Sequence, residues 1–199
     1  MTSNSAASAS RSAICSDATQ IFRIAIVKRY TLLFSALAAP SAVHATVFMS
    51  PEQAQAVMFP GEVLRPDPRQ LSDDQVSAIR KASGESPLHR DLKVWRASSG
   101  GWFIVDEVVG KHEFITLALA LDATGAVKSV EILDYREAYG SQVRDPRWRA
   151  QFAGKRAGQS LQLGHEVKNI SGATLSSKHV TDGVRRLLAT YAIVLAHNS

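Results

Sequence analysis

The feature that most limits how this chain can fold is a pair of short apolar runs separated by a short turn-forming stretch. Phe114–Leu121 is apolar at almost every position, and Asp122-Ala123-Thr124-Gly125 then reverses the chain into Val127–Leu133. In the second run Val127, Ser129, Glu131 and Leu133 alternate with Lys128, Val130 and Ile132, the period of a half-buried strand. Runs this short, broken by Asp and Gly, read as a β-hairpin and not as helix. A second such pair stands just upstream, where Lys93–Ala97 and Gly101–Asp106 flank Ser98-Ser99-Gly100. Successive hairpins predict an antiparallel sheet.

Helices are expected on both sides of these strands. Ser50-Pro51-Glu52-Gln53 reads as a helix start, and a Pro-containing loop (Pro60, Pro66, Pro68) follows it. Ser72-Asp73-Asp74-Gln75 has the form of a capping box, with Gly84 as a stop. Asp145-Pro146 opens a short helix that carries Trp148. From Ser177 to about Ala196, Val180, Val184, Leu187, Leu188, Tyr191 and Leu195 recur at helical spacing, with Arg185 and Arg186 placed on the opposite side. The expected fold is α+β: a single domain with an antiparallel sheet, flanking helices and a long C-terminal helix.

The chain is 45% apolar and 21% charged, an ordinary globular composition, with net charge +5. The excess charge does not mark a nucleic-acid surface, because Arg11, Arg23, Lys28 and Arg29 stand against Asp17 alone within the first 45 residues. No nucleic-acid partner is expected. That segment has the parts of an export signal: Lys28-Arg29, the apolar run Thr31–Ala39, and Val43-His44-Ala45 as a cleavage site. The apolar run is too short to span a bilayer. The expected division is residues 1–45 as a signal peptide with a long N-terminal extension, cleaved after Ala45 or kept as an anchor. A helical and loop lead-in over residues 46–92 and the main domain over 93–199 follow. An exported, periplasmic protein results. The one cysteine, Cys15, lies in the leader, so the mature chain is expected to hold no disulfide, iron–sulfur cluster or thiolate zinc.

The stretch Lys168-Asn169-Ile170-Ser171-Gly172-Ala173-Thr174-Leu175-Ser176-Ser177 directly precedes the last helix. Small residues and hydroxyls at a helix N-terminus suit a phosphate, because free N–H groups and the positive end of the dipole both favour an anion. The same residues also suit a plain turn in which Gly172 bends the chain and Ser176 or Ser177 caps the helix. The spacing is neither that of a P-loop nor that of a dinucleotide fold.

Ser171-Gly172-Ala173-Thr174 followed by Leu175-Ser176-Ser177 resembles the attachment motif of the FMN-binding domain family, which includes the covalently flavinylated subunits of the sodium-pumping quinone reductase and related electron-transport complexes. Two upstream segments resemble that family in order and spacing: Tyr135-Arg136-Glu137-Ala138-Tyr139-Gly140, and Phe152-Ala153-Gly154-Lys155. The resemblance implies covalent FMN, phosphoester-linked to Thr174 by a separate magnesium-dependent flavin transferase that takes FMN from FAD and releases AMP. It implies a flavin slot with Glu137 and Gly140 on one wall and Leu175 and Ser176 on the other, with Ser171, Gly172 and Ala173 forming the attachment turn. Lys168 departs from the pattern, because the family usually has Asp there.

With this resemblance, the expected function is a periplasmic electron-transfer flavoprotein. It relays electrons from a membrane-bound donor to an acceptor that the sequence does not identify, as a redox carrier more than a self-sufficient enzyme. Two alternatives remain: an exported binding or assembly module that keeps the fold without flavin, and a small flavin reductase acting on a soluble substrate. His89, His112, His165, His179 and His197 show no ligand spacing, so no metal site is expected, and no catalytic triad can be recognised. Trp95 and Trp102 are expected in the core, Trp148 as a packed staple, and His179 as a solvated neighbour of the helix start.

Overall fold

In the computed structural model, residues 46–196 are described. The leader expected over residues 1–45 lies outside them. The strands are β1 (Thr46–Val47), β2 (Leu64–Pro66), β3 (Arg69–Gln70), β4 (Asp91–Ala97), β5 (Trp102–Val109), β6 (Phe114–Leu121) and β7 (Val127–Tyr135). They form one antiparallel sheet in the order β1-β7-β6-β5-β4-β2, and β3 pairs with the other end of β4. The helices are α1 (Pro51–Met58), α2 (Asp73–Ser83), α3 (Pro146–Arg149) and α4 (Thr174–Thr190), the last running on into a π-turn over Tyr191–Leu195. Both hairpins form where the apolar runs placed them.

Local chemistry accounts for the element ends. The Ser72 hydroxyl accepts from the Gln75 N–H at 3.2 Å, while the Gln75 amide oxygen accepts from the Ser72 N–H at 3.0 Å. The same reciprocal pair, Ser50 with Gln53, starts α1. In the β6–β7 turn one Asp122 carboxylate oxygen accepts from the backbone N–H groups of Thr124 and Ala126, at 2.8 and 3.0 Å. Where the sequence predicts a Pro-containing loop, the chain forms the short strands β2 and β3. Both pair only with β4 at the sheet edge, where a residue without an N–H costs no central ladder bond.

Both faces of the sheet are covered. On one, Ile115, Leu117, Leu119 and Leu121 pack with Ile79 of α2 and Val180, Val184, Leu187 and Leu188 of α4. On the other, Ala118, Ala120, Phe103 and Leu133 meet Ala54, Met58 and Phe59 around α1. The alternation of Leu and Ala along β6 is therefore an alternation between a deep core and a shallow one. Trp102 is buried in the first. Trp95 is half-buried at the second, edge-on to Phe103 with ring centroids 5.4 Å apart.

Strand β7 departs from the simple alternation read in its sequence. Its register against β6 slips twice, between Ala120 and Leu121 and again between Thr116 and Leu117. Each slip leaves one β7 residue unpaired and re-phases the side chains beyond it. Val127, Val130, Ile132 and Tyr135 thus all reach the deep core, although strict alternation would send Val127 and Tyr135 to the other face. Helix α4 also begins three residues before the predicted Ser177. Arg186, expected on its solvent side, is only 5% exposed and donates to the Asp106 carboxylate at 2.7 Å and to the Glu107 carbonyl at 2.6 Å. Arg185 is part-buried as well, donating to the carbonyls of Ser83 and Leu161.

Candidate functional site

Three chain segments far apart in sequence meet at one end of the sheet: the β5–β6 hairpin tip, the turn that follows β7, and the start of α4. Between them lies a cleft of about 460 Å³, lined by Lys111, His112, Glu137, Ala138, Tyr139, Gly140, Gly172, Ala173, Thr174, Leu175 and Ser176. The structure thus brings together Glu137, Gly140, Gly172, Ala173, Thr174, Leu175 and Ser176 from the predicted set. Ser171 is exposed and does not line the cleft. The Phe152–Lys155 segment is elsewhere: the Gly154 N–H donates to the Val127 carbonyl at 2.8 Å and Phe152 is buried, so it clamps the far end of β7.

Thr174 is the first residue of α4, and Ala173 precedes it with no side-chain cap. Neither Ser176 nor Ser177 serves as the cap, because both lie inside the first turn. The first intrahelical bond of the helix start runs from the Ser177 N–H to the Ala173 carbonyl at 2.9 Å. The N–H groups of Thr174, Leu175 and Ser176 consequently have no intrahelical acceptor, and they sit at the positive end of the helix dipole. Ahead of them the Ala173 N–H donates to the Ile170 carbonyl at 3.0 Å, closing a turn in which Gly172 has φ 82°. The chain entering this turn is pinned by the indole N–H of Trp148, donating to the Lys168 carbonyl at 2.7 Å, and by the Lys168 N–H, donating to Gln151 at 2.9 Å. Trp148 is therefore a packed anchor of the site. Across the turn, the Asn169 side-chain amide donates to the Thr174 hydroxyl at 3.0 Å.

The opposite wall is built around two residues whose hydrogen bonds are directed inward. The buried Tyr135 hydroxyl lies 2.8 Å from the Ser176 hydroxyl and donates to the Tyr139 carbonyl. Burial pushes the phenol above its ordinary pKa; the bond to Ser176 opposes that, and the nearby Glu137 charge adds to it. Gly140, with φ 98°, lies so close to this pair that a Cβ there would strike the Ser176 hydroxyl and stand 2.5 Å from that of Tyr135. Glu137 spends its carboxylate on the hairpin tip, accepting from the His112 and Glu113 N–H groups at 2.5 and 3.0 Å. Burial alone would push its pKa up, but the N–H groups of Glu113, His112 and Lys111 outweigh that and hold it below the usual carboxylate range. Glu137 is thus a strut between two walls, and it carries a fixed negative charge.

Lys111, His112 and Ala138 also line the cleft, although the sequence assigns none of them a place in it. The polar insertion Gly110–Glu113 between two apolar strands was the available signal, but nothing local ties it to Glu137. Tyr139 is 86% exposed and Leu175 48% exposed, which leaves apolar surface uncovered on both sides of the cleft. His179 is half-buried and lines a neighbouring cleft, not this one, so it is not the solvated neighbour expected.

Residues 110–189 match the model of the FMN-binding domain family. This segment is an FMN-binding domain. The match runs from the hairpin tip to the end of α4 and contains every residue that lines the cleft. No curated protein matches the chain. The match supports FMN as the cofactor of this domain and points to an FMN-binding flavoprotein.

The residues present fit the cofactor. About 460 Å³ is within the range of roughly 300–1,000 Å³ typical of cofactor clefts. Three free N–H groups and the exposed Lys111 suit a phosphate, while Tyr139, Ala138 and Leu175 supply apolar walls for a planar ring. Among the described residues, no group of three or more His, Cys, Asp or Glu could hold a metal ion.

Proposed function

We propose that this chain is an exported electron-transfer flavoprotein whose FMN is joined to Thr174 by a phosphoester. It relays electrons between a membrane reductase and a second acceptor. The observation that carries this reading is the position of Thr174. Thr174 is the first residue of an uncapped helix and lines the cleft, so a phosphate on its hydroxyl would be close to the free N–H groups of the same turn.

Bound FMN supplies one- and two-electron transfer. The remaining work falls to the protein. The first turn of α4 and Lys111 would balance the phosphate charge, and Leu175 and Tyr139 would offer apolar surface to the ring. Glu137 and Tyr135 keep the walls at a fixed separation by bonding across them. A tether suits a carrier outside the cytoplasm, where free flavin would be lost by dilution. Export rests on the leader pattern of residues 28–45, and among the described residues no helix is long and apolar enough to cross a membrane. Maturation then requires a periplasmic flavin transferase, since a threonine hydroxyl is too weak a nucleophile to acquire FMN unaided.

Intact-mass spectrometry tests the tether. Protein exported from a host with such a transferase should be heavier by FMN less one water after denaturation, and the Thr174→Ala variant should lack the increment. A denatured wild-type protein without the increment, when the transferase demonstrably modifies another substrate, would refute covalent attachment.

A further inference from the structure

The Thr174 hydroxyl has one side-chain partner among the described residues, the Asn169 amide at 3.0 Å. We infer that Asn169 is a positioning residue for modification of Thr174: its N–H fixes the hydroxyl oxygen for attack on phosphorus. This rests on the covalent tether proposed above.

The bond spans the Ile170–Ala173 turn from outside. Its near end is held firmly, because the Lys168 carbonyl and N–H are both bonded to the α3 region and Ile170 packs against the deep core. Its far end is the start of α4. Asn169 is therefore placed by the fold and Thr174 by the helix, and the amide selects one hydroxyl rotamer out of the staggered set. With the amide donating into one lone pair, the O–H proton must point away from Asn169, toward whichever base removes it.

The reaction it serves balances simply. A bond forms between Thr174 Oγ1 and the FMN phosphorus of FAD, and the pyrophosphate bond to the AMP moiety breaks. AMP leaves with the bridging oxygen, and the hydroxyl proton passes to a base on the transferase. As that proton leaves, negative charge grows on Oγ1, and the Asn169 N–H is already directed at it. A donor placed there favours the transition state over the ground state.

The experiment measures FMN incorporation into the full-length chain by intact mass, using FAD, magnesium and a flavin transferase, with the acceptor protein varied. Asn169→Leu keeps the size and removes the donor. It should lower the maximal rate about tenfold, the value of one neutral hydrogen bond, leave the KM for the acceptor protein unchanged, and leave the unfolding midpoint where it was. Asn169→Gln, with a donor on a longer arm, should recover part of the loss. An Asn169→Leu variant modified at the full rate would overturn the inference, as would a loss abolished by raising acceptor concentration, which would make Asn169 a contact for the transferase instead. If wild type and Thr174→Ala both stay unmodified, the tether itself fails and takes this inference with it. A modified wild type with an unaffected Asn169→Leu removes this inference alone.

Discussion

Replacing Gly140 by Ala should separate the two walls of the flavin cleft. Gly140 has φ 98° and ψ 9°, a left-handed conformation that costs an L-residue about 1–2 kcal/mol. The added Cβ would also meet the Tyr135 hydroxyl at 2.5 Å and crowd that of Ser176, both of them buried. Neither atom belongs to a flexible side-chain end that could swing into solvent, so the Tyr135–Ser176 bond must lengthen or break, at about 1 kcal/mol or more. The sum is about 3 kcal/mol. Gly172→Ala is the matched control: its φ is 82°, but a Cβ there would find nothing within 4 Å, so only the backbone cost of about 1–2 kcal/mol applies. Urea unfolding of both variants, followed by tryptophan fluorescence, measures the difference directly. Gly140→Ala should also bind FMN less tightly, because the start of α4 moves away from the Tyr139 turn. Equal destabilisation by the two substitutions would refute the reasoning, since it would mean that the close approach of β7 and α4 at this point carries no energy.

Two further outcomes follow from the same contacts. The Glu137 carboxylate has a folded pKa below its ordinary value, so the stability it contributes is full above the unfolded pKa of about 4.3 and is lost as pH falls through the folded value. Urea midpoints measured from pH 6 down to pH 2 should therefore converge for wild type and Glu137→Gln at the acid end and diverge above pH 5, whereas parallel curves would show that the strut is not charged. Asp106→Ala should cost about 3–5 kcal/mol by chemical denaturation, because it leaves the Arg186 guanidinium buried without its carboxylate, and a loss under 1 kcal/mol would contradict that account.

Much of the architecture was legible because it is set by neighbours in the chain. The two hairpins follow from apolar runs, with an Asp–Gly turn in one and a Gly-ended turn in the other. The Ser72–Gln75 capping box was readable because both its bonds span three residues. The stretch that ends in Thr174 could also be recognised, since small residues ahead of an amphipathic helix form a local pattern. The lead-in was harder: β2 and β3 are two or three residues long and acquire strand geometry only by pairing with β4.

What the sequence by itself determined was the set of pieces: the hairpins, the starts of the first two helices, a stretch of small residues with Thr174 ahead of a long amphipathic helix, and the order in which they occur. Tertiary structure decided how those pieces make a cleft. The slips in β7 pairing turn Tyr135 toward α4, and pairing register depends on a partner strand, not on the strand's own residues. Tyr135 then meets Ser176 at a separation of 41 residues, and Glu137 reaches the N–H groups of a hairpin 24 and 25 residues earlier. Arg186, which has the look of a solvent residue in its helical pattern, is buried because Asp106 on β5 lies beneath it. Such contacts leave no periodic trace, since each joins two single residues across the core, and neither member changes the local preference of its own segment.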